Sequence, residues 1–210
     1  MKKKFAIILT ALFTLAGSNA FAQIDGAQWS AGGGFTTMHL VGADKAKVFD
    51  EMLPGYYFGA SFDYAFSTID GLTVEPGAYI VHYAKTFASF MATHENSHKG
   101  NYLRLPVNLK YTFYPGTSDL RISAFTGPRF NLGLGGSLFD NSANYSGIKP
   151  FDAQWGIGAS ILVLDAISVS AGYDFGLSRC ARDRTIEKIK IRDNAEVKRN
   201  AFFVGVNFAF

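Results

Sequence analysis

The chain has one cysteine, Cys180, among 210 residues, so no internal disulfide can staple it and a small disulfide-rich scaffold is excluded. After residue 22 it also lacks any apolar run long enough to cross a bilayer as a helix. A surplus of one charge is missing too. Lysine plus arginine number 20 against 17 aspartate plus glutamate, but Lys2, Lys3 and Lys4 stand in an export signal. Without them the two signs balance, which removes the electrostatic case for a nucleic-acid partner.

The export signal spans residues 1–22. Its three lysines form the basic region, Phe5 to Gly17 is an apolar stretch too short to span a bilayer, and Ala20-Phe21-Ala22 supplies a small-residue cleavage site. The mature chain is expected to start at Gln23. No cysteine lies near that site, so a lipid anchor is not expected. Residues 23–210 suit a single domain.

What the chain does have is 15% aromatic residues and 22 glycines. Such a composition fits a soluble β-sandwich or a transmembrane barrel, whose mark is alternation. The segment "NYLRLPVNLKYTF" decides for strands. Leu103, Leu105, Val107, Leu109, Tyr111 and Phe113 point one way; Tyr102, Arg104, Pro106, Asn108, Lys110 and Thr112 point the other. That is about one bilayer crossing, which takes ~9–11 tilted residues.

The pattern recurs in "YYFGASFDYAFS", "LTVEPGAYIV", "LRISAFTGPRFNLGL", "FDAQWGIGASILV", "AISVSAGYDFGL" and "NAFFVGVNFAF". With a first strand inside "WSAGGGFTTMHLV", whose glycines leave its facing open, the count reaches eight. Connections alternate. Long ones at about Val41 to Gly55, Lys85 to Gly100, Gly135 to Pro150 and Ser178 to Lys198 are separated by short ones at Ser67 to Gly71, Tyr114 to Asp119 and Leu164-Asp165. A Greek-key sandwich has no reason to do this. A membrane barrel does, with short periplasmic turns and long extracellular loops.

Charge supports the barrel. Asp63, Glu75, Arg104, Lys110, Arg121, Arg129, Asp152 and Asp174 all share the polar parity, while the opposite face is aromatic and aliphatic. A soluble barrel would reverse this. The expectation is an all-β, eight-stranded antiparallel up-and-down barrel in the outer membrane, with those eight residues forming a charge network in the lumen. An interior of eight strands is just filled by side chains. Pro76, Pro106 and Pro128 fall within strands, where a closed sheet has no edge for them; they require bulges or interrupted pairing.

Several segments resemble the small outer-membrane β-barrel domain of PorT-type proteins: "YLRLPVNLKYTF", the "EPG" of the third strand, "FTGPRF" of the fifth and the closing "GVNFAF". The resemblance implies an eight-stranded outer-membrane barrel whose characterised relatives mostly assist export or surface assembly. It brings no catalytic residue and no cofactor. The last strand also resembles the signal read by the barrel-assembly machinery, through Gly205, Phe208 and Phe210. Phe203 stands where that signal usually has a polar residue.

One motif points elsewhere. His94-Glu95-Asn96-Ser97-His98 spells H-E-x-x-H, which on a helix places two imidazoles for zinc and a glutamate as general base. Here it falls at a loop tip. Asn96 and Ser97 are weak helix formers, Gly100-Asn101 leads into a strand, and no glutamate or histidine follows His98 before Glu187. A coincidental match, with no metal, is expected. His39 and His82 lie on strands that are not neighbours, and Ser89 and Ser97 lie in a loop, so no Ser-His-acid set is expected. Cys180 reads as an unpaired surface thiol, "GGSLFDNSANYSG" as a flexible loop, and "RTIEKIKIRDNAEVKR" as a charged hairpin above the membrane.

The functional expectation is a non-enzymatic accessory or interaction protein acting through its extracellular loops. Its partners would be outer-membrane lipid, the assembly machinery during insertion, and a protein at the loops. A small pore is the alternative, and an outer-membrane lipid-modifying enzyme comes third.

Overall fold

The computed structural model describes residues 27–41, 53–83, 100–116, 120–134, 151–163, 166–179 and 198–210. Eight strands follow in order: β1 (Ala27–Val41), β2 (Leu53–Ala65), β3 (Leu72–Tyr83), β4 (Gly100–Phe113), β5 (Leu120–Gly133), β6 (Phe151–Val163), β7 (Ile167–Gly176) and β8 (Lys198–Ala209). Each pairs antiparallel with the next, and β1 also pairs with β8 from Ser30–Ala209 to Val41–Lys198. The sheet is a closed barrel, as the sequence predicts.

The two-residue period sorts side chains by face. Phe58, Leu109, Ile157, Val169, Val204 and Phe208 point outward and are exposed, whereas Ser61, Arg104, Asn108, Arg129, Asp152 and Asp174 point inward and are buried. An apolar exterior wrapped around a polar interior is stable in lipid and not in water. The indole of Trp155, on the lipid side, finds a partner. Trp155 Nε1 donates to Thr126 Oγ1 at 2.8 Å, and that hydroxyl donates to the Gly156 carbonyl at 3.0 Å. An indole N–H left bare in hydrocarbon would cost several kcal/mol, on the order of any unsatisfied polar group there.

Strand β1, unreadable in sequence, has Thr36 and Met38 inside and Phe35 outside, 74% exposed. The strand prolines cause interrupted pairing. The β2–β3 ladder skips from Ser61–Gly77 to Tyr64–Val74, β3–β4 from Pro76–Val107 to Tyr79–Arg104, and β4–β5 from Pro106–Arg129 to Leu109–Thr126. Register is unchanged across each gap, so these are missing bonds and not bulges.

Connections of residues 66–71, 114–119 and 164–166 alternate with those of residues 42–52, 84–99, 134–150 and 177–197. In the first short one, Gly71 has φ 78°, a left-handed conformation that other residues adopt at a cost. Its carbonyl accepts from Thr112 N at 2.8 Å, tying the turn to β4. Two boundaries differ from the sequence reading. Strand β2 begins at Leu53 rather than after Gly55, and β8 begins at Lys198, which moves Arg199 from the charged hairpin into the barrel wall. The export signal lies outside the described residues.

Candidate functional site: a filled lumen

The inward side chains form a hydrogen-bonded chain along the barrel axis. At the short-turn end, Lys110 on β4 joins Asp63 on β2 and bonds Glu75 Oε2 on β3 at 2.7 Å. Asn108 Nδ2 donates to Glu75 Oε1 at 3.1 Å, and Asn108 Oδ1 accepts from Arg129 Nη1 at 3.2 Å. Arg129 on β5 donates through Nε to Asp174 on β7. Arg104 Nη1 lies 3.2 Å from the other oxygen of Asp174, and Arg104 Nε donates to Asn131 Oδ1 at 3.0 Å. Asn131 Nδ2 then donates to Gln154 Oε1 at 2.8 Å, and Gln154 Nε2 to the Arg199 carbonyl at 2.7 Å. Arg199 closes the chain on Asp152 with a two-pronged bond, Nε to Oδ2 at 3.0 Å and Nη2 to Oδ1.

This chain contains the acids Asp63, Glu75, Asp174 and Asp152 and the bases Lys110, Arg129, Arg104 and Arg199. The charge is not balanced link by link. Two arginines share Asp174, leaving one positive charge in excess, and two carboxylates share Lys110, leaving one negative. Asn108 stands between the two excesses, its amide donating to the anion side and its carbonyl accepting from the cation side.

Aromatic rings fill most of the remaining space. The Arg129 guanidinium carbon lies 5.0 Å from the centre of the Phe203 ring, and that of Arg199 lies 4.2 Å from the centre of the Tyr102 ring. Such contacts strengthen when desolvated. At the long-loop end, Met38, Val81, Tyr83 and Tyr102 form an apolar cluster, and Tyr83 accepts a bond from Arg104 Nη2 at 2.9 Å. Among the described residues, packed side chains and buried ion pairs occupy most of the barrel interior. The lumen is a filled polar interior.

Of the eight charges expected inside, seven belong to this chain. Arg121 stands at the short-turn end of β5 with its guanidinium carbon 5.7 Å from the Tyr114 ring centre. The residue the sequence reading missed is Arg199. Carrying the alternation of β8 back two positions from Ala201 would have placed it inside, but its neighbours read as loop. Asn108, Asn131 and Gln154 had the inward parity; that they link the ion pairs was not legible.

In the closing strand, Gly205 is buried, and Phe208 and Phe210 are exposed on the lipid side. A Cβ on Gly205 would stand 2.1 Å from the Tyr57 hydroxyl, so only glycine leaves room for that ring. Phe203, which departs from the usual polar residue, points inward and supplies the ring against Arg129.

His39 and His82 are bonded to different partners on different strands. His39 Nε2 lies 3.1 Å from the Tyr173 hydroxyl, and His82 Nδ1 lies 2.7 Å from Asn101 Oδ1. Among the described residues no group of three or more His, Cys, Asp or Glu side chains is placed to hold a metal. The H-E-x-x-H pentad, Ser89, Cys180 and the glycine-rich loop lie outside the described residues.

Fold and lumen define the class: a small outer-membrane β-barrel with a side-chain-filled interior. The family follows from the sequence itself. Residues 21–181 match the outer membrane protein beta-barrel domain family, and the chain belongs to it. Among solved structures it is similar to Ail, the attachment invasion locus protein of Yersinia pestis, with 12% identity, TM-score 0.45, and coverage of 88% of this chain and 99% of that one. Neisserial surface protein A shares 16% identity at TM-score 0.48, with 88% and 99% covered. OprG from Pseudomonas aeruginosa shares 13% identity at TM-score 0.41, with 88% and 96% covered. No curated protein matches the chain.

Proposed function

We propose that this protein is a non-enzymatic accessory or interaction protein of the outer membrane, acting through its four long loops. The observation that carries the reading is the axial chain from Asp63 to Asp152, which fills the lumen with paired charge. A protein whose interior is occupied by its own side chains has only its ends to offer a partner in water. The resemblance of "EPG" and "FTGPRF" to segments of PorT-type proteins supports a role within export or surface assembly. Insertion would use the assembly machinery through the closing strand, with Gly205, Phe208 and Phe210 as the residues read.

Two measurements test this reading. Protein reconstituted in a planar bilayer should show no steady single-channel conductance; a large, stable, ion-selective current would replace the reading with that of a pore. Cross-linking in intact outer membranes should then capture a protein through residues of the long connections. Loss of that adduct on shortening residues 84–99 or 180–197, with the barrel still inserted, is the expected result. An adduct that survives shortening of all four loops would overturn it.

A further inference from the structure

The three strand prolines stand in three successive ladders. Continuing each register places Pro76 opposite Phe62, Pro106 opposite Gly77 and Pro128 opposite Val107. A proline has no N–H, so the carbonyls of Phe62, Gly77 and Val107 each lose their cross-strand donor. The gaps at residues 62–63 against 75–76, 77–78 against 105–106, and 107–108 against 127–128 form a staggered seam across β2 to β5. The five other ladders run without a gap over their paired lengths. Hydrocarbon cannot supply the missing donors from outside.

The inner side of the same wall is different. A cavity of about 60 Å³ lies against it, lined by Glu75, Pro106 and Asn108 from the unpaired positions and by Arg129, Ser170 and Asn207 among others. Arg129 is 4% exposed, yet its Nη2 has no hydrogen-bond partner among the described residues, and neither has Asn207 Oδ1. A polar space of that size has room for roughly four waters at ~15 Å³ each, provided each finds two to four polar partners. Donors, acceptors and volume are all present.

We infer that this cavity is a site for a small cluster of water molecules, and that the proline seam is the stretch of wall it hydrates from within. Water there satisfies Arg129 and Asn207 and stands ready to replace backbone bonds on either side of each gap. The β3–β4 region is therefore where the closed barrel first opens locally, although its inner face carries Arg104, Asn108 and Lys110 in the ion-pair chain. The inference goes beyond the proposed function and does not depend on it.

Hydrogen exchange followed by mass spectrometry on the full chain in lipid nanodiscs tests this. Amides of residues 75, 77, 78, 105, 107 and 108 should exchange on the order of tenfold faster than mid-strand amides of β6 and β7, as one missing ladder bond per step would give. Pro128→Val, which restores a backbone donor to the Val107 carbonyl while its side chain stays on the outer face, should slow exchange at β4–β5 severalfold. Ser170→Leu, which fills the cavity without touching the seam, should slow all three gaps. Seam amides as protected as those of β6–β7 would overturn the inference. Unchanged exchange in Ser170→Leu would overturn the water site; if that variant does not insert, Ser168→Val, which narrows the same cavity, makes the same test.

Discussion

Arg199 on β8 and Asp152 on β6 grip each other across the lumen face of β7, the strand that separates theirs. Both are buried, at 1% and 3% exposure. The pair is a brace between strands that share no backbone bonds, and Arg129 with Asp174 repeats the device between β5 and β7.

Breaking one member of such a brace leaves a charge with no water to receive it. Arg199→Ala should destabilise the folded barrel by ~3–5 kcal/mol, read from urea unfolding in detergent micelles with heat-modifiable gel mobility as the check. Asp152→Asn with Arg199→Met should recover most of the loss, because neither residue then carries charge. A double variant no more stable than the single would contradict the brace.

Gly205 makes a different kind of contact. Gly205→Ala would drive a methyl into the Tyr57 hydroxyl and should cost about 1–3 kcal/mol, as overpacking usually does. Combining it with Tyr57→Phe removes the clashing oxygen and should return part of that stability. If the pair is no better than Gly205→Ala alone while insertion falls, the glycine is being read by the assembly machinery instead.

On the lipid face no partner exists to rescue a charge. Ile157, 46% exposed at the middle of β6, should tolerate Leu but not Arg. Ile157→Arg is expected to cost ~2–4 kcal/mol at the bilayer midplane. A second-site acid on β5 or β7 should not recover it. Recovery would mean that this face is not in lipid.

Salt offers a check without mutation. Exposed ion pairs weaken as the Debye length shrinks from about 10 Å at 0.1 M to about 3 Å at 1 M, whereas buried ones are screened far less. Unfolding midpoints in sodium chloride across that range should therefore change little. A steep fall would place the ion pairs in contact with bulk solvent.

Much of this architecture is legible in the sequence, for a physical reason. Lipid outside and polar side chains inside impose strict alternation, so β4 can be read residue by residue from Leu103 to Phe113. Strand β1 resists because Gly32, Gly33 and Gly34 carry no side chain to report a face. Arg199 hides because a strand that emerges from a charged loop looks like that loop until its register is known. The pairing of Arg104 with Asp174 and of Arg199 with Asp152 is not in the pattern at all. Period two gives the face of a residue; curvature and register decide which charges meet across the hollow.

The brace on β8 also has a consequence in time. Synthesis delivers Asp152 well before Arg199, and the two meet only when the C-terminal strand docks between β7 and β1. Until then the interior holds a carboxylate without its counter-ion, and a seven-stranded intermediate carries that electrostatic debt along with two open edges. Closure of the sheet and neutralisation of the lumen are one event, so the barrel cannot finish its wall and leave its inside undone.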